Sequence, residues 1–161
     1  MKKHISNFLL FAVAILLLIS CSDQKVFEQY HKFEKFSWNR FEFVDFETQI
    51  EDTESEYDIY LNLRHLPEYP YRNFDFNFTI YTPSGEMRTS NYEIKLYDNQ
   101  GNRLSECLGD YCDMKIPVRK GFRFSEPGTV KFEIENRMTK LETPGVMEVG
   151  LIIEKSEKRK E

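Results

Sequence analysis

The chain has 161 residues, with 22 Lys and Arg against 27 Asp and Glu, a formal charge of −5. That acidic balance argues against nucleic acid as a partner, because a phosphate backbone needs a clustered basic surface. The length suffices for one domain with a single core, and 14 Phe and nine Tyr beside one Trp favour strands.

Lys2 and Lys3 make a basic start, followed by twelve apolar residues from Phe8 to Ile19. As a helix these rise about 18 Å, short of the roughly 20 residues needed to span a hydrocarbon core. A basic start, a short apolar run and a small residue at its end predict a cleaved secretory signal over residues 1–20, in preference to a permanent anchor helix. The run closes on Leu18-Ile19-Ser20-Cys21, which resembles a bacterial lipobox. The resemblance implies that Cys21 is joined to diacylglycerol and becomes the new N-terminus, with acylation of its amine. Losing Lys2 and Lys3 with the signal takes the formal charge to −7. Residues 21–25 then form a lipidated tether, 26–154 the folded domain and 155–161 a solvated tail of mixed charge.

"VFEQYHKFEKFSW" carries Val26, Phe27, Tyr30 and Phe33 without a helix cap and is read as extended. From there a two-residue period dominates. Phe41 and Phe43 alternate before Asp45 shifts the phase, which predicts a bulge. Tyr57, Ile59, Leu61 and Leu63 share one face, as do Phe74, Phe76, Phe78 and Ile80. Tyr92, Ile94 and Leu96 follow, then Val130, Phe132 and Ile134, and then Met147, Val149, Leu151 and Ile153. Turns around Pro83 and Gly85, Asp98 to Gly101, and Pro127 and Gly128 separate these runs. The expected fold is all-β, a single antiparallel β-sandwich of jelly-roll type behind the signal.

His31 and His65 stand far apart in no ligand pattern, so no metal site is expected from them with Cys107 and Cys112. No nucleophile elbow or phosphate loop is present, and no cofactor is expected. Asn77-Phe78-Thr79 matches a glycosylation sequon on a strand, where it is read as chance. In "CLGDYC", Cys107 and Cys112 can close a small ring. The chain-entropy estimate for that ring is about 2 kcal/mol. Free thiols are the first alternative, and metal or redox chemistry the second. "LRHLPEYPYRNFDF" holds the densest local signal. Pro67 and Pro70 stop one strand and stiffen the crossing to the next. Arg64, Tyr69, Tyr71 and Arg72 are candidates for a partner surface there, since Tyr and Arg are enriched at interface hot spots. The alternative is that the tyrosines cap one end of the core.

Taken together, the lipobox, "VFEQYHKF", the lone tryptophan in "SWNRFEF", "YDIYLNLRHLPEYPYRNFDFNF", a late "ENRM" and "VMEVGLIIE" resemble the gliding motility lipoprotein GldH family. The likeness spans nearly the whole mature chain and is most specific from Leu61 to Asn73. Cys21, Trp38, Arg64, Tyr69, Pro70, Tyr71 and Asn73 match the signature. Two features depart from it: Arg103-Leu104 where an aromatic often follows the "GN" turn, and the pair Cys107 and Cys112.

The resemblance implies a non-enzymatic envelope lipoprotein, held by Cys21 at a bacterial membrane, the outer one in preference, and acting through other proteins of the gliding machinery. That machinery is linked to a dedicated secretion system. A surface lipoprotein binding polysaccharide is the alternative, for which outward aromatics such as Tyr60 and Tyr97 are the candidates.

Overall fold

The computed structural model describes residues 24–157. Eleven strands are formed among them: β1 (Lys25–Lys32), β2 (Ser37–Asn39), β3 (Phe43–Ile50), β4 (Tyr57–His65), β5 (Asn73–Tyr81), β6 (Met87–Lys95), β7 (Glu106–Leu108), β8 (Tyr111–Phe122), β9 (Gly128–Asn136), β10 (Glu142–Pro144) and β11 (Val146–Lys155). One sheet has the order β1-β11-β4-β8-β7, a second β3-β9-β5-β6, and β10 pairs with β2 as a separate ribbon. All pairings are antiparallel.

Setting aside the three-residue strands, the eight long strands fall in the order first, eighth, third, sixth in one sheet. The other sheet holds the second, seventh, fourth and fifth. This is the jelly-roll arrangement, two Greek keys folded over one core. The alternation set it up: a strand with apolar side chains every second residue can bury one face only, so two such sheets must close on each other. Ile59, Leu61, Leu63, Val149, Leu151 and Ile153 from the larger sheet meet Phe74, Phe76, Phe78, Phe132, Ile134 and Val44 from the smaller in one buried cluster. At the open side, the Tyr92 hydroxyl of β6 donates to the Val118 carbonyl of β8, so one side chain bridges the two sheet edges.

Three details differ from the sequence reading. The bulge expected at Asp45 is absent: β3 pairs with β9 in unbroken register from Phe43 to Ile50. Val44, Phe46 and Ile50 face inward, which turns Phe43 outward. β8 has no counterpart in the sequence reading, because Pro117 and the charges at Lys115, Arg119 and Lys120 hide its alternation. Only its first three residues pair with β7, so from Met114 onward it is a sheet edge, where proline is tolerated. Lys155, assigned by sequence to the tail, ends β11 and places its ammonium 2.8 Å from Asp52.

The late "ENRM" motif has a structural role. Buried Asn136 donates to the Trp38 carbonyl (3.1 Å) and to Thr143 Oγ1 (2.9 Å), and accepts from the Met138 amide (2.9 Å). Three of its hydrogen-bonding positions are thereby used to weld the β2–β10 ribbon to the end of β9.

Candidate functional site

Cys21 lies outside the described residues, but the end of the domain it joins is well defined. The Gln24 carbonyl accepts from the Lys155 amide, and Lys25 pairs with Glu154. β4 begins at this tether end, with Tyr57 opposite Lys155, and finishes at His65, eight residues along. At about 3.3 Å per residue that is roughly 26 Å away. The segment 66–72, the loop 97–105, the β7–β8 hairpin and the β2–β10 ribbon all gather at the far end.

The crossing from β4 to β5 is built into the core there. Leu66 N–H donates to the Gly145 carbonyl, and Tyr69 N–H closes a turn onto Leu66. Tyr69 is only 5% exposed, which corrects the expectation of a surface position. Its ring meets His65 and Tyr71, and its hydroxyl donates to the Asn73 carbonyl at 3.3 Å. Burial pushes that phenol well above its ordinary range. Gly145 makes the position possible: it takes φ of +88°, and a Cβ there would stand 3.2 Å from the Tyr69 ring. Tyr69 therefore caps the core. We expect Tyr69→Ala to destabilise the domain by about 3 kcal/mol, while exposed Arg72→Ala leaves the denaturation midpoint nearly unchanged.

The other three candidates separate. Tyr71 is half-buried against the core. Arg72 is exposed and stands over the Tyr97 ring at 5.2 Å. Arg64 lies on the outer face of the larger sheet, with two hydrogen bonds to Asp113 (2.8 and 2.9 Å), Glu148 at 3.5 Å and the Tyr111 ring at 4.2 Å. Hydrogen bonding to Asp113 raises its already high pKa further. Arg64 is thus an ion-paired member of the sheet face, and the four residues do not form one patch.

An apolar group that the sequence reading did not single out as a surface forms the exposed tip of this end. Phe41 is 76% exposed, Leu141 68% and Phe43 52%. Phe41 sits in a turn closed by Glu42 N–H onto the Asn39 carbonyl, and Arg40 N–H donates to the Leu141 carbonyl, which brings Leu141 alongside. Fully buried Trp38 holds the turn from below through Nε1–H to the Glu42 carbonyl, 2.8 Å. Lys35 and Phe36, next to the ribbon, both take left-handed φ (56° and 50°), a cost for non-glycine residues. The signal that could have found this tip is phase: extending Val44, Phe46 and Ile50 backwards puts Phe43 and Phe41 on the solvent side.

The tyrosines considered for sugar stacking carry cations over their rings. Lys115 and Lys120 stand 3.9 and 4.1 Å from the Tyr60 centroid, and Arg72 and Arg103 lie 5.2 and 5.6 Å from that of Tyr97. His65 is buried, with Nδ1 2.7 Å from the Leu66 carbonyl and Nε2 3.0 Å from Ser105 Oγ. Burial lowers its pKa, so the ring is neutral and Nδ1 donates. His31 instead sits 3.5 Å from Glu42, so the two histidines do not converge.

Cys107 and Cys112 are Cα partners across the β7–β8 hairpin, with their sulfurs 1.98 Å apart. Arg103 reaches both sulfurs with Nη1 (3.2 and 3.0 Å), while Nη2 donates to the Pro67 carbonyl (2.7 Å) and the Tyr97 hydroxyl (3.2 Å). The two departures from the family signature are therefore in contact with each other.

Comparison with known proteins agrees with the resemblance in the sequence. The family model described as GldH lipoprotein matches residues 25–153. A gliding motility lipoprotein GldH homolog of Christiangramia forsetii is 28% identical over 164 residues, covering 98% of this chain and 99% of the relative. Gliding motility lipoprotein GldH of Flavobacterium johnsoniae is 26% identical over 144 residues, 89% of each chain. Among solved structures, a family GH115 4-O-methyl-α-glucuronidase with specificity for decorated arabinogalactans overlaps 86% of this chain and 18% of its own, at a TM-score of 0.46 and 9% identity. A likeness of that size carries no argument about activity.

Proposed function

Because the chain belongs to the GldH lipoprotein family, a lipid-anchored group of the cell envelope associated with gliding, we propose that it is a non-enzymatic adaptor of the gliding machinery, acting through protein contacts. In this reading Cys21 carries the lipid, the outer membrane holds it, and the partner docks at the far end of the jelly roll.

The observation that carries the reading is the exposed tip of Phe41, Phe43 and Leu141. Large apolar side chains exposed at one end of the fold, on a turn, a loop and the start of β3, with a strained backbone beside them, point to an interaction site. A protein partner fits better than the anchoring bilayer. Cys21 can lie no more than about 11 Å from Gln24 along the chain, whereas the tip is at the opposite end of the strands. Arg40 and Glu42 flank Phe41 along the chain, and Lys140 and Glu142 flank Leu141, so the complementary surface is an apolar pocket with polar groups of both signs at its rim. The cations over Tyr60 and Tyr97 leave the polysaccharide alternative without the aromatic platform it called for.

The test is the double substitution Phe41→Ser with Leu141→Ser. Both side chains are largely in solvent, so stability should move by no more than about 0.5 kcal/mol per site, and lipidation should be normal. Spreading on agar should nevertheless be lost, along with in-cell crosslinks from a photoreactive residue placed at position 43. Normal spreading by this variant at normal protein level would overturn the far-end adaptor reading.

A further inference from the structure

We propose that Cys107 and Cys112 form a thiol–disulfide exchange site, in which an external thiolate attacks Cys107 and Arg103 receives the departing Cys112 thiolate. The two sulfurs are chemically unequal. Cys107 is exposed on the short outer strand β7, next to the Gly109-Asp110 turn, whereas Cys112 is fully buried beneath it on β8. Attack is thereby confined to the Cys107 side of the bond. The buried sulfur must then accept negative charge away from water, which is unfavourable without a counter-charge.

Arg103 supplies that counter-charge, with Nη1 already 3.0 Å from Cys112 Sγ. The guanidinium is held in place from its other arm by the Pro67 carbonyl and the Tyr97 hydroxyl. A disulfide sulfur is a weak acceptor and needs no such partner, whereas a thiolate gains a charge-assisted hydrogen bond. A cation beside a thiol lowers its pKa, and a leaving thiol of lower pKa departs faster. Of the nearby carboxylates, Asp113 is neutralised by Arg64, and Glu106 and Asp110 are exposed to water.

The step balances as an exchange. An incoming thiolate forms a bond to Cys107 Sγ, the Cys107–Cys112 bond breaks, and the electron pair leaves on Cys112. With a monothiol the product is a mixed disulfide on Cys107. With a dithiol donor, its second thiolate displaces Cys107, so two electrons pass to the pair and the donor becomes a disulfide. Cys107 is thus the position at which a thiol-bearing partner is attached reversibly. This inference rests on the bond being formed in the exported protein and is independent of the adaptor reading.

The experiment uses the mature lipoprotein in detergent, with iodoacetamide labelling before and after exposure to glutathione near pH 7. Before exposure, both sulfurs should resist labelling. After it, peptide mass analysis should place glutathione on Cys107, with Cys112 alkylated. Arg103→Gln should slow the exchange about tenfold, and Arg103→Lys should recover part of the rate. Labelling of both thiols in the untreated protein would overturn the proposal, as would glutathione on Cys112 or an unchanged rate in Arg103→Gln. The position of attack is read on the unaltered protein, so it decides the question even if Arg103→Gln folds poorly.

Discussion

Trp38→Ala should destabilise the domain by about 3–5 kcal/mol, the largest single effect expected of any side chain in the β2–β10 ribbon. Trp38 is fully buried, stacks on Phe33 with ring centroids 4.9 Å apart and leans on Phe74 at 5.7 Å. Alanine would open a cavity between these rings and leave the Glu42 carbonyl without its donor. For a domain of this length the loss corresponds to a fall in Tm of roughly 10–20 °C. Trp38→Phe keeps much of the stack and loses the hydrogen bond, so it should cost about 1–2 kcal/mol. Chemical denaturation distinguishes the two. A loss below about 1 kcal/mol for Trp38→Ala would mean that the ribbon does not close this end of the core. Because Trp38 also supports the turn bearing Phe41, the phenylalanine variant should weaken gliding more than its stability alone accounts for.

Cys21→Ala should have the largest effect in the cell. Without the sulfur there is no thioether to diacylglycerol, so the protein should accumulate as a longer precursor bearing the segment 1–20. Each buried methylene contributes about 0.8 kcal/mol, so one myristoyl-length chain binds reversibly while two or three hold essentially permanently. Removing them should shift the β-domain out of the lipoprotein fraction recovered by detergent extraction. Tethering raises the concentration of a domain near its partners far above that of a free one, so an adaptor should fail when released. Gel mobility, fractionation and spreading on agar read these three consequences. Mature-size, membrane-held protein in this variant would sink the assignment of Cys21. Normal spreading by an exported but unlipidated domain would count against the tethered adaptor itself.

Much of the architecture was legible without coordinates, for a local reason. A strand that buries one face must alternate, so Tyr57, Ile59, Leu61 and Leu63, and Phe74, Phe76, Phe78 and Ile80, declare both their strands and their inner faces. The lipobox-like run is equally local, since a processing enzyme reads it as a short linear segment. Where alternation was interrupted, reading by period failed. Proline and charges on the free edge of β8 concealed the strand. The shift of phase at Asp45 invited a bulge, although the register with β9 needs none.

The sequence by itself determined the all-β class, the faces that β4, β5, β9 and β11 bury and the position of the lipobox-like cysteine, because those are properties of neighbours along the chain. Only the tertiary structure decided what the far end presents. Tyr69 lies in the core because Gly145, distant in sequence, leaves room for its ring. Arg64 and Arg72, eight positions apart, point to different surfaces because a sheet face and a loop separate them. Arg40 and Leu141 meet because the β2–β10 ribbon closes about one hundred positions of chain into one hydrogen-bonded contact, which puts Phe41 and Leu141 at the same end. Arg103 finds both sulfurs and the Pro67 carbonyl for the same reason. A side chain's local pattern specifies which way it faces; what it meets there depends on sheet order, which antiparallel strands assemble from segments far apart in the chain.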